Sequence, residues 1–320
     1  MQFEGSEKKA EIIVDSSQLS LISDLPETFW QELVACSNAK ILSSIENKDC
    51  KAYLLSESSL FVWQDRCLII TCGITTLANA VEYFLNHIEP STVLHVGYQR
   101  KNEYFAHAQL SSFGDDIKQL TKSIDGIAYR FGDLDSHHHY IFHQNNNYRF
   151  SEEYQSFEVV AYQISPTILK ELTKSNIVNA EIRNFLNVDF LLPDFQIDDF
   201  VFTPSGYSLN AIKGKDYLTI HVTPHADCSY VSICASFDIT LIARVLLSLL
   251  SPKSIDVVST NHPEFIQQVK ENINEEFISK ALVQKKLSNS NQISFAHIIV
   301  PQINYNEPVE INISDENHSL

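Results

Sequence analysis

Leu54-Leu55-Ser56-Glu57-Ser58-Ser59-Leu60-Phe61-Val62 sets a Glu-Ser-Ser step inside an otherwise strand-like stretch. Tyr53 to Leu55 and Leu60 to Trp63 are apolar, aromatic or β-branched, the residue types that favour pleated sheet. No Gly or Pro interrupts them, so an ordinary turn is not expected here. A serine held between strands can attack its preceding carbonyl, if that carbonyl is strained, and convert the peptide bond to an ester. β-Elimination of the ester then cuts the chain and leaves the serine as a pyruvoyl group. For the tripeptide alone, a polar bulge or short hairpin is the plainer reading.

Working outward, strand-like runs occupy Glu11 to Val14, Lys40 to Ser44, Lys51 to Leu55, Leu60 to Trp63 and Cys67 to Thr71. Their links are short and polar, which predicts an antiparallel meander. Thr76 to His87 reads as a helix, with Leu77, Val81 and Phe84 at helical spacing. A second round predicts strands near Val93 to Val96, Ile127 to Tyr129, Tyr140 to His143 and Glu158 to Ile164. Helices are expected near Asp115 to Ser123, Thr167 to Thr173 and Ala180 to Leu186. Phe200 to Phe202, Tyr217 to Val222, Tyr230 to Cys234, Ile255 to Ser259, Phe277 to Val283 and Ser294 to Val300 repeat the strand pattern, with a helix over Ile239 to Leu250. Strands followed by helices, twice over, imply an α+β protein with antiparallel sheets covered by helices. No internal sequence repeat is visible. Residues 1–305 read as one domain, and 306–320 as a polar, acidic tail expected to be disordered.

At 320 residues and 44% hydrophobic composition the chain can bury a large core. It has no apolar run of about 18 residues and no basic-then-apolar N-terminus, so neither a membrane span nor a signal peptide is expected. A net charge of −17 argues against nucleic acid and anionic membranes as partners and mildly favours cationic ligands. Six cysteines without CxxC or zinc spacing suggest the reducing cytoplasm. Only 8 glycines and no Gly-rich loop argue against a dinucleotide or P-loop fold. His137-His138-His139 alternate faces on a strand and do not converge on one ion, so no metal site is expected.

Four further segments accompany the opening stretch: Phe3-Glu4-Gly5-Ser6-Glu7-Lys8, Thr71-Cys72-Gly73-Ile74-Thr75-Thr76, Gly206-Tyr207-Ser208-Leu209-Asn210 and Thr219-Ile220-His221-Val222-Thr223-Pro224. In this order and spacing the five resemble S-adenosylmethionine decarboxylase of the eukaryotic type, over roughly Phe3 to Ile298. The resemblance implies a four-layer α-β-β-α sandwich, two antiparallel sheets face to face with helices on the outer faces. It implies cleavage between Glu57 and Ser58, giving chains 1–57 and 58–320 that stay associated, and a covalent pyruvoyl group made from Ser58. That group supplies the electron sink for decarboxylating S-adenosylmethionine, whose product donates the aminopropyl group of spermidine.

Residue by residue, the resemblance makes Cys72 the acid that protonates the carbanion after carbon dioxide leaves. It makes His221 the base that removes the proton α to the ester, and Ser208 the hydroxyl that holds the ester intermediate. Phe3 and Phe202 match the aromatics that sandwich adenine, Glu4 and Glu7 the acidic pair beside the pyruvoyl, and Glu57 a substrate contact. Two departures stand out. The family reads Thr-Pro-Glu after the histidine, its glutamate binding ribose, whereas this chain reads Thr223-Pro224-His225. The acids that hold an activating putrescine align with Tyr154, Glu158 and Cys234, and a nearby lysine aligns with Ile70. Putrescine activation is therefore not expected. Three readings stay open: an S-adenosylmethionine decarboxylase, a pyruvoyl-dependent decarboxylase of another amino acid, and a weakly active regulatory paralogue. Homodimer formation is also left open.

Overall fold

The computed structural model of the chain describes residues 7–104, 106–225, 228–273 and 277–301. Phe3, Glu4 and the tail from residue 306 lie outside these. The first sheet holds β1 (Lys8–Val14), β2 (Ile41–Glu46), β3 (Cys50–Leu55), β4 (Ser58–Trp63), β5 (Arg66–Thr71), β6 (Val93–Lys101), β7 (Gly126–Gly132) and β8 (His138–Gln144). The second holds β9 (Ser156–Tyr162), β10 (Gln196–Val201), β11 (Tyr207–Lys213), β12 (Asp216–Thr223), β13 (Tyr230–Ala235), β14 (Ser254–Thr260), β15 (Ile278–Lys286) and β16 (Gln292–Ile299).

The first sheet runs β2-β3-β4-β5-β1-β6-β8-β7 and the second β10-β11-β12-β13-β9-β14-β16-β15. Adding eight to each strand number converts one order into the other, a duplication that the sequence does not display. β2 to β5 form the expected meander, with β1 inserted between β5 and β6.

Strand alternation divides the side chains between two kinds of core. Leu60, Val62 and Ile69 face helices α1 (Glu27–Cys36) and α2 (Leu77–His87) in one outer cluster. Phe61, Trp63, Leu68 and Ile70 meet Ile212, Tyr217 and Cys234 of the second sheet in an inner cluster. The second sheet's outer face is covered by α4 (Pro166–Leu172), α5 (Asn179–Phe185), α6 (Val188–Leu191), α7 (Thr240–Leu250) and α8 (Phe265–Asn272), with α3 (Phe113–Leu120) beside α2. Each large apolar side chain so buried contributes about 1.5–3 kcal/mol. The result is the α-β-β-α sandwich. Among the described residues no helix is long and apolar enough to cross a membrane.

The Glu-Ser-Ser step departs from expectation. Leu55 pairs with Ser58, so Ser56 and Glu57 form a two-residue turn between β3 and β4. Such turns favour residues that accept positive φ. Neither Ser56 nor Glu57 takes it, and the distortion falls on Ser58, whose φ is 138°.

Candidate active site

Ser58 is 1% exposed and lies at the start of β4, between the two sheets. By alternation it would share the helix-facing side with Leu60 and Val62, while Ser59 would face the second sheet with Phe61. Both serines nonetheless reach one imidazole: Ser58 Oγ lies 2.8 Å and Ser59 Oγ 3.4 Å from His221 Nε2. A regular pleat cannot do this, and the positive φ at Ser58 accounts for it.

His221 on β12 is directly opposite Ser208 on β11, and Ser208 Oγ sits 2.9 Å from Nδ1. Thr219, two residues earlier on the same face, places its hydroxyl 2.8 Å from Nε2. Ser59 Oγ donates to Asn210 Oδ1 at 2.6 Å, and Asn210 Nδ2 donates to the Tyr53 carbonyl at 3.0 Å. These bonds lock the ring on both nitrogens. Burial pushes the His221 pKa down to about 4, so the imidazole is neutral at physiological pH.

The Glu57 carbonyl is held as firmly. Glu57 O accepts from the Cys72 backbone N–H at 2.9 Å and from Cys72 Sγ at 3.3 Å. Burial, then the nearby Glu57 and Glu7 carboxylates, raise the Cys72 thiol above its ordinary value, so it keeps its proton. Burial also pushes the Glu57 carboxyl up to about 7. Glu7 is buried, accepting from Lys101 Nζ at 2.7 Å and from Ser232 Oγ at 2.9 Å. Its other oxygen has no partner among the described residues.

A cavity of about 420 Å³ opens beside Ser58, lined by Glu57, Cys72, Phe202, His221, His225 and Tyr230 among others. That volume suits a small organic ligand. Phe202 packs on Phe200 with ring centroids 4.9 Å apart, and His225 offers an imidazole with Nδ1 unpartnered among the described residues. The buried serine at a strained bond, a neutral imidazole on its hydroxyl and two donors on its carbonyl fit conversion of Ser58 to a pyruvoyl group.

Thus Ser58, Cys72, Ser208, His221, Glu57, Phe202 and His225 line one cavity, and Glu7 stands one layer behind, on Lys101 and Ser232. Phe3 and Glu4 lie outside the described residues. Sequence reading missed Ser59, Thr219 and Asn210, although two-residue alternation from His221 and Ser208 pointed to Thr219 and Asn210. It also missed Lys101 and Ser232, for which no local signal exists.

Behind the site, the positions aligned with the putrescine acids are satisfied internally. Glu158 on β9 forms ion pairs with Lys9 and Lys101, and Lys9 Nζ also reaches Cys234 Sγ at 3.2 Å. Tyr154 donates to Glu11 at 2.5 Å, and Arg66 pairs with the same carboxylate at 3.0 Å. Ile70 belongs to the inner apolar cluster. Besides Glu158, Glu11 and the cations Lys9, Lys101 and Arg66 also occupy this region.

The chain matches the family model described as adenosylmethionine decarboxylase over residues 1–303. It is 33% identical to the S-adenosylmethionine decarboxylase proenzyme of Dictyostelium discoideum over 76% of this chain and 71% of that one. With the proenzyme of that name from Trypanosoma cruzi it shares 33% identity over 72% of this chain and 67% of that one. Its fold resembles the crystal structure of the Trypanosoma brucei AdoMetDC-delta26 monomer, with a TM-score of 0.60 at 20% identity, covering 76% of this chain and 99% of that one. With the family model spanning nearly its whole length, the chain belongs to the adenosylmethionine decarboxylase family.

Proposed function

We propose that the chain decarboxylates S-adenosylmethionine, using a pyruvoyl group made from its own Ser58, and so supplies the aminopropyl donor for spermidine. The observation that carries this reading is the strained Ser58, with its hydroxyl on His221 and its preceding carbonyl on the Cys72 N–H and thiol.

Ser58 Oγ attacks the Glu57 carbonyl carbon, its proton passing to the amide nitrogen as the C–N bond breaks. The two Cys72 donors stabilise the oxyanion that forms, the kind of assistance that is worth several kcal/mol in acyl transfer. Ser208, fixed on the His221 ring, holds the ester. His221, neutral at working pH, then removes the Ser58 α-proton, and Glu57 departs as the new C-terminal carboxylate. Water hydrolyses the resulting enamine, through its imine form, with release of ammonia.

A pyruvoyl group at position 58, held between Cys72 and His221, would supply a ketone for the substrate amine and a sink for the electrons freed with carbon dioxide. Cys72, held protonated by burial, returns a proton to the α-carbon. Phe202 offers a face to the adenine, and the sulfonium gains about 0.5–2 kcal/mol from such a ring. His225 supplies one donor and one acceptor for the ribose hydroxyls. Cytosolic placement is supported by six cysteines that form no disulfide among the described residues.

The reading in which another amino acid is the substrate rests on His225 at the position of the family's glutamate. Purified protein supplied with carboxyl-labelled S-adenosylmethionine should release labelled carbon dioxide. No release from fully cleaved protein, with release from a different amino acid, would transfer the reading to that substrate.

A further inference from the structure

Outside the Ser58 site, one cluster of ligating side chains bridges the two sheets. His137 immediately precedes β8 in the first sheet, whereas Asp256 and His297 face each other on β14 and β16 of the second. His137 Nδ1 lies 3.0 Å from Asp256 Oδ2 and His297 Nδ1 2.7 Å from Asp256 Oδ1. The two imidazoles stack with centroids 4.1 Å apart and planes at 22°. The ligand atoms of all three residues lie within 4.8 Å of one another. The histidine triplet does not build this cluster. His138 Nδ1 lies against the Ser136 carbonyl, and His139 puts Nε2 against Gln99 and its ring against Phe295, whereas His137 bonds to Asp256.

We propose that His137 Nδ1, His297 Nδ1 and Asp256 bind one divalent transition-metal ion of the zinc class, with water completing the coordination. Two imidazoles and a carboxylate suit such ions, whereas magnesium and calcium prefer sites built from oxygen. Tetrahedral zinc needs bonds of about 2.0–2.2 Å, which place its ligand atoms about 3.3 Å apart. To reach this the 3.0 and 2.7 Å separations widen, and the stacked imidazoles turn so that their Nδ1 atoms, within 4.8 Å of each other, both face the ion. Without metal, the short contacts are those of imidazole N–H groups donating to the carboxylate. On binding, each of these protons moves to Nε2, and on His137 that atom already lies 3.1 Å from the Tyr104 hydroxyl, which can accept it. Asp256 and His297 are buried, but the His137 side chain is 14% exposed and gives the ion a way in. The site would tie one sheet to the other, apart from the chemistry at Ser58.

The test uses the full-length, self-cleaved protein, stripped with chelator and titrated with Co²⁺ and Zn²⁺. One equivalent should bind, and the Co²⁺ complex should show visible ligand-field bands with no thiolate charge-transfer band, which excludes the six cysteines as ligands. Zn²⁺ should raise the thermal midpoint. Asp256→Asn and His137→Gln should each weaken binding by more than about tenfold. Because His137 is a partly exposed residue outside the strands, its variant carries the test if Asp256→Asn does not fold. Absence of stoichiometric uptake, a thiolate band, or binding by His137→Gln as tight as wild type would overturn the site and leave a hydrogen-bonded His-Asp-His triad.

Discussion

Ser58 carries a conformation that glycine tolerates and serine does not, and its surroundings hold it there. With φ at 138°, strain on the order of 1–3 kcal/mol is stored beside the Glu57–Ser58 bond. Wild-type protein is expected as two chains, 1–57 and 58–320, the larger with a blocked N-terminus, and Ser58→Ala as one. Gel and intact-mass analysis decide this, and a wild-type chain persisting at 36.4 kDa would end the proposal. Cys72→Ala keeps the backbone N–H on the Glu57 carbonyl but loses the thiol, so it should still cleave, more slowly. Its correct turnover should fall by ~10²–10⁴-fold, the usual cost of a positioned acid. Unchanged product formation would remove Cys72 from that role. Cleavage should also have a pH window. His221 must be neutral, which holds above about pH 4, and Glu57 ionises near 7, setting a negative charge beside the forming oxyanion. Self-cleavage rates should decline above about pH 7 in wild type and stay level in Glu57→Gln. A decline of the same size in both would rule out Glu57 as its cause.

Strands β1 and β9 hold equivalent places in the duplicated sheets, and the charges they carry bear on the response expected to diamines. β1 presents Lys9, β9 presents Glu158, and Lys101 at the end of β6 completes the pair. Burial alone would lower the Lys9 pKa, but Cys234 and Glu158 outweigh it and hold the ammonium charged. Glu158, opposed by its own desolvation, is kept ionised by Lys101 and Lys9. A dication entering here would meet cations already paired, and an uncompensated buried charge costs several kcal/mol. Activity titrated with putrescine should therefore be flat, and a saturable several-fold rise would overturn this. The strands around Ser58 were legible because alternation and short polar links are local signals. β11 was not, since Ser208 and Asn210 break its apolar pattern to serve the site. α1 was missed because its buried stripe, Phe29, Trp30, Leu33 and Val34, contains few strong helix formers. The Glu7–Ser232 contact joins residues 225 apart, and no local pattern encodes it.

For the whole molecule, buried charge and the interleaving of the two halves set its response to acid and to cleavage. His95, His139 and His221 all have pKa values pushed down to about 4 by burial, against 6.5 ordinarily. The unfolded chain takes up protons on these groups as pH falls through 6.5, whereas the folded one does not until about 4. Their contribution is complete above 6.5 and lost toward 4, at most about 3 kcal/mol for each histidine. The urea midpoint should be lower at pH 5 than at pH 7.5, and equal midpoints would contradict the assignment. Cleavage, by contrast, should leave the assembly intact. Residues 1–57 supply β1, β2 and β3, and β1 lies in the interior of the first sheet between β5 and β6 of the larger chain. β3 pairs with β4 across the proposed cut, and Ser43 of β2 reaches Asp198 of the second sheet at 2.6 Å. Removing the smaller product would split the sheet and strip the partners Lys9 from Glu158 and Glu11 from Arg66 in the interior. The cleaved protein should therefore elute as one species under native conditions and unfold in a single transition. The isolated 58–320 chain, separated in denaturant, should fail to refold unless 1–57 is returned. Refolding of the larger chain alone to a cooperative native state would show that the second sheet, and not the interleaved first sheet, dominates the stability of the molecule.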